Sequence, residues 1–445
     1  MPNISQSTYL ISKRPRRSII RGFAPYFPYL IIIPFYLAII VPGYPVISII
    51  RLIIAILLGS FLLLYSPINA LEKIWTLKFN RLLIVGYLIL PLIALPNSSD
   101  VLKSVLSILG ERFLFIPFFF SMGYYYLSNR DSLKTFISSI TYATIVIMII
   151  GIIEFYYGFN IVTHIVQSFT SISIDDFEKY SLKESNIDEE SIFRSNRATA
   201  TFRHGISFGV FVASFSNIFI FNILSRNKYV SKTINIIGLC LMPFALYASG
   251  SRTPLLLLML ILYINRAILL DVKSNISKYV IVGFLIFVLF QIYAQFYRIE
   301  YGFGNDMGRL IMIEDLISYL GDFKIIGIGI SMFSRSNGVL WNSFRIIDPM
   351  AFSLTMIIEI GISYIPFIIV LTIYIRRINK TIQASHNYSG YERYFSQFVY
   401  SIFIANILIS FISISLFNVS HIGTAMLWMM IGIVHSIRDH SLAET

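Results

Sequence analysis

Cysteine is nearly missing from this chain, and so is most of the charge that a soluble protein carries. One cysteine, Cys240, stands in 445 residues. It cannot close an intramolecular disulfide, and a lone thiol in an apolar run (236–242) is a poor metal site. Charged residues make up 13% of the chain, against about a quarter in an ordinary soluble domain. The six histidines form no cluster with zinc-binding spacing. There is no Walker-type glycine loop, so no ATP site is readable. There is no Asp-x-Asp pair of the kind that holds a metal in many nucleotide-sugar enzymes. The sequence therefore predicts neither a metal nor a cofactor.

What the chain has instead is apolar length. It is 56% hydrophobic, with a mean hydropathy of +0.74. No single soluble core absorbs such an excess, so lipid is the expected solvent for most of it. A helix needs roughly twenty apolar residues to cross the hydrocarbon layer. That ruler places spans near 26–43, 46–65, 81–97, 112–128, 135–157, 205–224, 233–249, 254–270, 279–296, 351–375, 394–416 and 420–437. The expected fold is all-α: one polytopic transmembrane helical bundle over 1–445, with about twelve spans. Arg51 weakens the start of the second span and Arg266 the end of the eighth.

The formal net charge is +12. Its placement argues for helix orientation rather than for nucleic acid. With the basic tail 1–25 inside, the short inner loops hold Lys73, Lys78 and Arg81, then Arg130 and Lys134, then Arg226, Lys228 and Lys232. Further on come Arg266, Lys273 and Lys278, then Arg376, Arg377, Lys380 and Arg393. The acids gather outside, among them Asp175, Asp176, Glu178, Asp188, Glu189 and Glu190. Membrane proteins concentrate Lys and Arg on the cytoplasmic side, and a miscount by one span would reverse the alternation. Both termini are expected in the cytoplasm, with no cleavable signal peptide.

Two polar stretches then fall outside the membrane, 158–204 and 297–350, both expected to contain short helices. One is expected around 308–319, and another segment, 100–110, is expected to lie on the outer surface. Four arginine-bearing stretches reach this side: Arg194 to His204, Ser249 to Pro254, Arg309 to Gly329, and Trp341 to Pro349. Arginine stays charged and grips phosphate with two parallel hydrogen bonds. A charge at a membrane boundary is costly unless it meets water, a partner or a ligand. Arg197, Arg203 and Arg309 lean toward a ligand role. Arg252 is equally well read as the anchor of a helix end, and Arg194, Arg298, Arg335 and Arg345 as ordinary loop charges. Base candidates are Asp348, Glu314, Asp315, Glu300 and His204, with His164 more readily structural. Glu359 falls inside a predicted span, so it is either functional or the partner of an arginine.

In order and spacing these stretches resemble the O-antigen polymerase and O-antigen ligase family of bacterial membrane glycosyltransferases. Arg197-Ala-Thr-Ala-Thr-Phe-Arg-His204 resembles the family's arginine segment that enters a helix. Ser249-Gly-Ser-Arg252 resembles its Ser-Arg helix start. Arg309 with Gly327-Ile-Gly329 resembles its arginine and Gly-x-Gly stretch in the large outer loop. Asp348-Pro349 with Glu359-Ile-Gly361 resembles the end of that loop and the Glu-x-Gly of the next span. The resemblance covers roughly 195–365.

It implies glycosyl transfer, with inversion, from an undecaprenyl-pyrophosphate-linked oligosaccharide on the outer face of the bacterial inner membrane. Arg197 and Arg309 would hold the pyrophosphate, with Arg203 and Arg252 in support, and Asp348, His204 or Glu314 as base candidates. A flippase and a chain-length regulator would be partners. Ligases carry a histidine near the end of the large loop; here 297–350 has none and Asp348 stands near that position, which favours the polymerase. The alternatives are a ligase of the same fold, or a flippase or transporter without chemistry, which would scatter charge along its spans.

Overall fold

The computed structural model describes residues 19–33, 38–39, 47–65, 67–98, 101–107, 115–127, 129–158, 198–202, 205–225, 230–266, 327, 352–384, 388–411, 415–419 and 421–443. These residues are helical apart from turns and two short paired strands. In chain order the helices are α1 (Ile19–Phe23), which runs on as a 3-10 segment (Ala24–Ile32), α2 (Ile49–Tyr65), α3 (Pro67–Thr76) and α4 (Lys78–Asn97). Next come α5 (Val101–Ser107), α6 (Phe115–Tyr126), α7 (Arg130–Tyr157), α8 (Gly205–Leu224), α9 (Lys232–Ala248) and α10 (Thr253–Ile264). The last are α11 (Phe352–Ile360), α12 (Tyr364–Ala384), α13 (Gly390–Ser410), α14 (Leu416–Val419) and α15 (His421–Ala443). The strands β1 (Ala38–Ile39) and β2 (Ile47–Ser48) pair antiparallel before α2.

Local chemistry explains many of the boundaries. Asn129 caps α7 by accepting from the Asp131 N–H, and Gly158 ends it in the left-handed conformation (φ 72°). Ser231 caps α9 at 3.2 Å from Ile234 N. Ser389 and Glu392 form a reciprocal capping box at the start of α13. In α4 the residues Val85–Ile89 form a π-turn. Pro91, two residues on, has no N–H to donate and crowds the carbonyl four residues back, which a widened turn accommodates.

Three helices among the described residues are long and apolar enough to cross a membrane: Lys78–Asn97, Asp131–Tyr157 and Gly205–Leu224. Shorter apolar helices follow the same pattern at Leu52–Phe61, Lys232–Ala248 and Thr253–Ile264. Their outward faces are greasy. Tyr142, Val146, Ile149 and Tyr156 expose one stripe of α7, and Ile365, Ile369, Val370 and Ile373 one side of α12. Large apolar side chains at helical spacing on an exterior fit lipid, not water. This is the chemistry of a membrane protein. The hydrophobic window of α8 is 83% buried and that of α4 only 44%, so α8 is central and α4 peripheral.

Two of the expected spans are corrected. The first, 26–43, is replaced by a segment that begins at Ile19 and ends as 3-10 helix at Ile32, with β1 inside the range expected to be helical. Pro25 and Pro28 break the α-helical ladder there, and the tighter 3-10 coil advances about 2 Å per residue, so fewer residues cover the same depth. The tenth, 351–375, is two helices. It is broken at Gly361, which adopts φ 89°, a conformation glycine takes without the steric cost a Cβ imposes. Within the segment 100–110 the chain is helical over α5, Val101–Ser107. The ninth span, 279–296, and the loop helix at 308–319 lie outside the described residues.

The helix ends meet in two groups. At one end Tyr125 donates to Lys73 O at 3.1 Å, Tyr124 to Asp439 Oδ2 at 3.0 Å, and Asn379 to Gln397 Oε1 at 2.8 Å. Gln397 in turn donates to Asn265 Oδ1 at 3.2 Å. The described basic residues Lys73, Arg266, Lys380 and Arg393 lie at or next to these contacts in sequence. The other end holds the candidate site.

Candidate functional site

The best-defined part of the arginine stretch Arg194–His204 is its middle, Ala198 to Phe202. A short polar turn is costly to bury unless its donors find acceptors. Among the described residues its donors find four acceptor groups. Ala198 N–H donates to Ala248 O at the end of α9, at 3.0 Å. Thr201 Oγ1 donates to Ile31 O at the end of the 3-10 segment, at 2.8 Å. Thr199 N–H and hydroxyl donate to Glu154 Oε1 at 3.0 and 2.9 Å, and Ala200 N–H to Glu154 Oε2 at 2.6 Å. Phe202 is buried, its ring 5.2 Å from that of Phe211 on α8. Arg197 adjoins one edge of this turn in sequence and Arg203 the other.

The Ser249–Pro254 stretch meets it. Ser249 is buried and donates to Leu246 O at 2.7 Å; Gly250 takes φ 58°. A Cβ on Gly209 of α8 would lie 2.4 Å from Pro254 Cγ and 2.7 Å from Ser249 Oγ, so α8 reaches this stretch only because residue 209 has no side chain. Arg252 stands at the start of α10 with an exposed side chain. Its carbonyl accepts from Leu256 N–H, and Pro254 occupies the first turn. The helix start is thus made by backbone and proline, and the exposed guanidinium lies at the same end as the 198–202 turn.

A second juxtaposition involves the large loop. Gly327 takes φ 78°. Its carbonyl accepts from Asn97 Nδ2 at 2.8 Å, where α4 ends. A Cβ on Gly327 would lie 2.5 Å from Gly361 N and 2.6 Å from the Glu359 carbonyl. Gly327, the first glycine of the loop's Gly-x-Gly, therefore packs on the Glu359–Gly361 backbone at the helix break, and Glu359 is buried at 1% exposure.

The structure brings together the turn that Arg197 and Arg203 adjoin and the Ser249–Arg252 knot, and it brings Gly327 onto Gly361. Arg197, Arg203, His204, Arg309, Glu314 and Asp348 themselves lie outside the described residues. Sequence reasoning missed two groups. Glu154 lies inside the predicted span 135–157, and the cost of an intramembrane carboxylate, the argument that singled out Glu359, would have found it. Asn97 gave no signal beyond its polarity at a span end. Comparison of the chain with protein-family models and with curated proteins returned no match.

Proposed function

We propose that this protein polymerises oligosaccharide repeats carried on undecaprenyl pyrophosphate, on the outer face of a bacterial cytoplasmic membrane, by inverting glycosyl transfer. About twelve spans, with both termini in the cytoplasm, put the arginine-bearing loops on that face. The observation that carries the reading is the anchoring of the 198–202 turn. It is fastened to α7, α9 and the 3-10 segment, and Arg197 and Arg203 adjoin it in sequence. Guanidinium groups fixed in advance stabilise charge as it develops without reorganising during the reaction.

In this reading Arg197, Arg203, Arg252 and Arg309 bind the donor pyrophosphate. An acceptor hydroxyl attacks the anomeric carbon, the bond from that carbon to the pyrophosphate oxygen breaks, and its electron pair leaves with the lipid pyrophosphate. The hydroxyl proton goes to Asp348, with Glu314 and His204 as the other candidates. The product is a repeat chain lengthened by one transfer, and a flippase and a chain-length regulator are the expected partners.

The test is the surface glycan of cells carrying Arg309→Ala. Single attached repeats with no ladder are expected, and Arg309→Lys should be nearly as poor, because an ammonium does not reproduce the guanidinium fork. A ladder of normal length in Arg309→Ala cells would remove this arginine from the reaction. In a deletion strain, loss of all attached glycan would point to the ligase instead.

A further inference from the structure

The 198–202 turn does not hold its conformation unaided. Ala200 has φ 51°, in the left-handed region where a Cβ crowds the following carbonyl. Three donors of this turn, two on half-buried Thr199 and one on fully covered Ala200, face one helix end. One side chain answers all three. Glu154, in the last turn of α7 and 8% exposed, accepts two of them on Oε1 and one on Oε2. A carboxylate offers two oxygens that accept without presenting a donor; an amide offers one acceptor and turns N–H groups toward the rest.

The same helix end closes on itself through Gly158 N–H to Glu154 O at 2.9 Å, which fixes the backbone from which the carboxylate reaches. Among the described residues, the Thr199–Ala200 part of the turn is held from α7. Arg197 and Arg203 adjoin its two edges.

We propose that Glu154 is a positioning residue for pyrophosphate binding. Its carboxylate holds the Thr199–Ala200 backbone with Ala200 in the left-handed conformation, and Arg197 and Arg203 adjoin that turn in sequence. This rests on the reading of those arginines as pyrophosphate ligands. Glu154 touches no substrate; it acts through the turn.

The test uses the purified full-length protein in detergent, with polyprenyl pyrophosphate and polyprenyl monophosphate as probes. Glu154→Gln keeps the shape of the side chain and loses an acceptor. It should weaken pyrophosphate binding about tenfold or more, the loss expected for hydrogen bonds to a charged group, and weaken monophosphate binding less, because two guanidinium groups must converge only on the longer anion. Thr199→Val removes one donor and should cause a smaller loss in the same direction. Adding Ala200→Gly to Glu154→Gln should restore part of the affinity, since glycine takes the left-handed conformation freely. A purely structural fault would not be rescued in this way and would weaken both lipids equally; either result overturns the proposal. Wild-type affinity for the pyrophosphate in Glu154→Gln also overturns it, while leaving the arginine reading intact. If the wild-type protein binds neither lipid, the arginine reading fails and takes this inference with it.

Discussion

Alanine at Gly432 or Gly123 should unlock a helix pair whose backbones touch, α6 and α15. These glycines sit on opposite sides of the α6–α15 contact. A Cβ on Gly432 would lie 2.1 Å from Phe120 O and 2.9 Å from Tyr124 N; one on Gly123 would lie 2.0 Å from Met429 O and 2.7 Å from its carbonyl carbon. Both fall about 1 Å short of the 3.0 Å below which real contacts essentially cease. The obstacles are backbone atoms, so no side-chain rotation relieves them and one helix must move. Overpacking of this kind costs roughly 1–3 kcal/mol, and a gap opened by up to 1 Å forfeits a quarter to a half of each neighbouring dispersion contact.

Against this, Gly→Ala in a helix interior gains about 1 kcal/mol of propensity. The net expectation is destabilisation by about 1 kcal/mol for either variant, and about 2 kcal/mol at the upper end. The double variant should cost less than the sum, because one separation relieves both clashes. Gly59 in α2 is the control. Nothing lies within 4 Å of its ideal Cβ, so Gly59→Ala should gain about 1 kcal/mol. Thermal unfolding in detergent, followed through the fluorescence of fully buried Trp428 on α15, reads all four proteins. If Gly123→Ala and Gly432→Ala melt no lower than Gly59→Ala, close backbone approach is not what holds this pair together.

Other expected outcomes follow from the same structure. Asn406 Nδ2 donates to Ser214 Oγ at 3.1 Å and its Oδ1 accepts from Leu416 N–H at 2.9 Å; Asn406→Leu orphans both and should cost about 1–3 kcal/mol by thermal unfolding. Gly327→Ala imposes a Cβ on φ 78° and on the Gly361 backbone. It should abolish glycan extension while shifting the melting temperature of the bundle little, and normal extension would show that the loop need not dock there. Ser389→Ala should cost about 1 kcal/mol through the lost capping box, whereas Ser389→Asp should recover most of it. Arg252→Ala should weaken polyprenyl-pyrophosphate binding, its side chain being exposed; unchanged binding would reduce Arg252 to a surface charge.

Much of the helical frame was legible in the chain. The expected span 205–224 coincides with α8, 233–249 with α9 to within a residue, and 81–97 with most of α4. The caps at Asn129, Ser231 and Ser389 stand where side-chain chemistry puts them. Errors came where proline or glycine acted on geometry and not on hydropathy. Pro25 and Pro28 tightened the first segment into 3-10 helix. Gly361 broke an apolar run that a hydropathy window reads as continuous. The first of these moved Ile31 next to Thr201, a contact that the expected span 26–43 does not contain.

The site divides in the same way. Composition and periodicity settled that the chain is helical and built for lipid, because the free energy of burying apolar residues is local and nearly additive along the sequence. Charge along the loops yielded an expected orientation for a similar reason. Tertiary packing alone decided that Glu154 supports the turn beside Arg197 and Arg203, that Ala198 is bonded to the end of α9, and that Gly327 rests on Gly361. Those contacts join residues remote in sequence, and each depends on how separate helices pack, which no local pattern encodes.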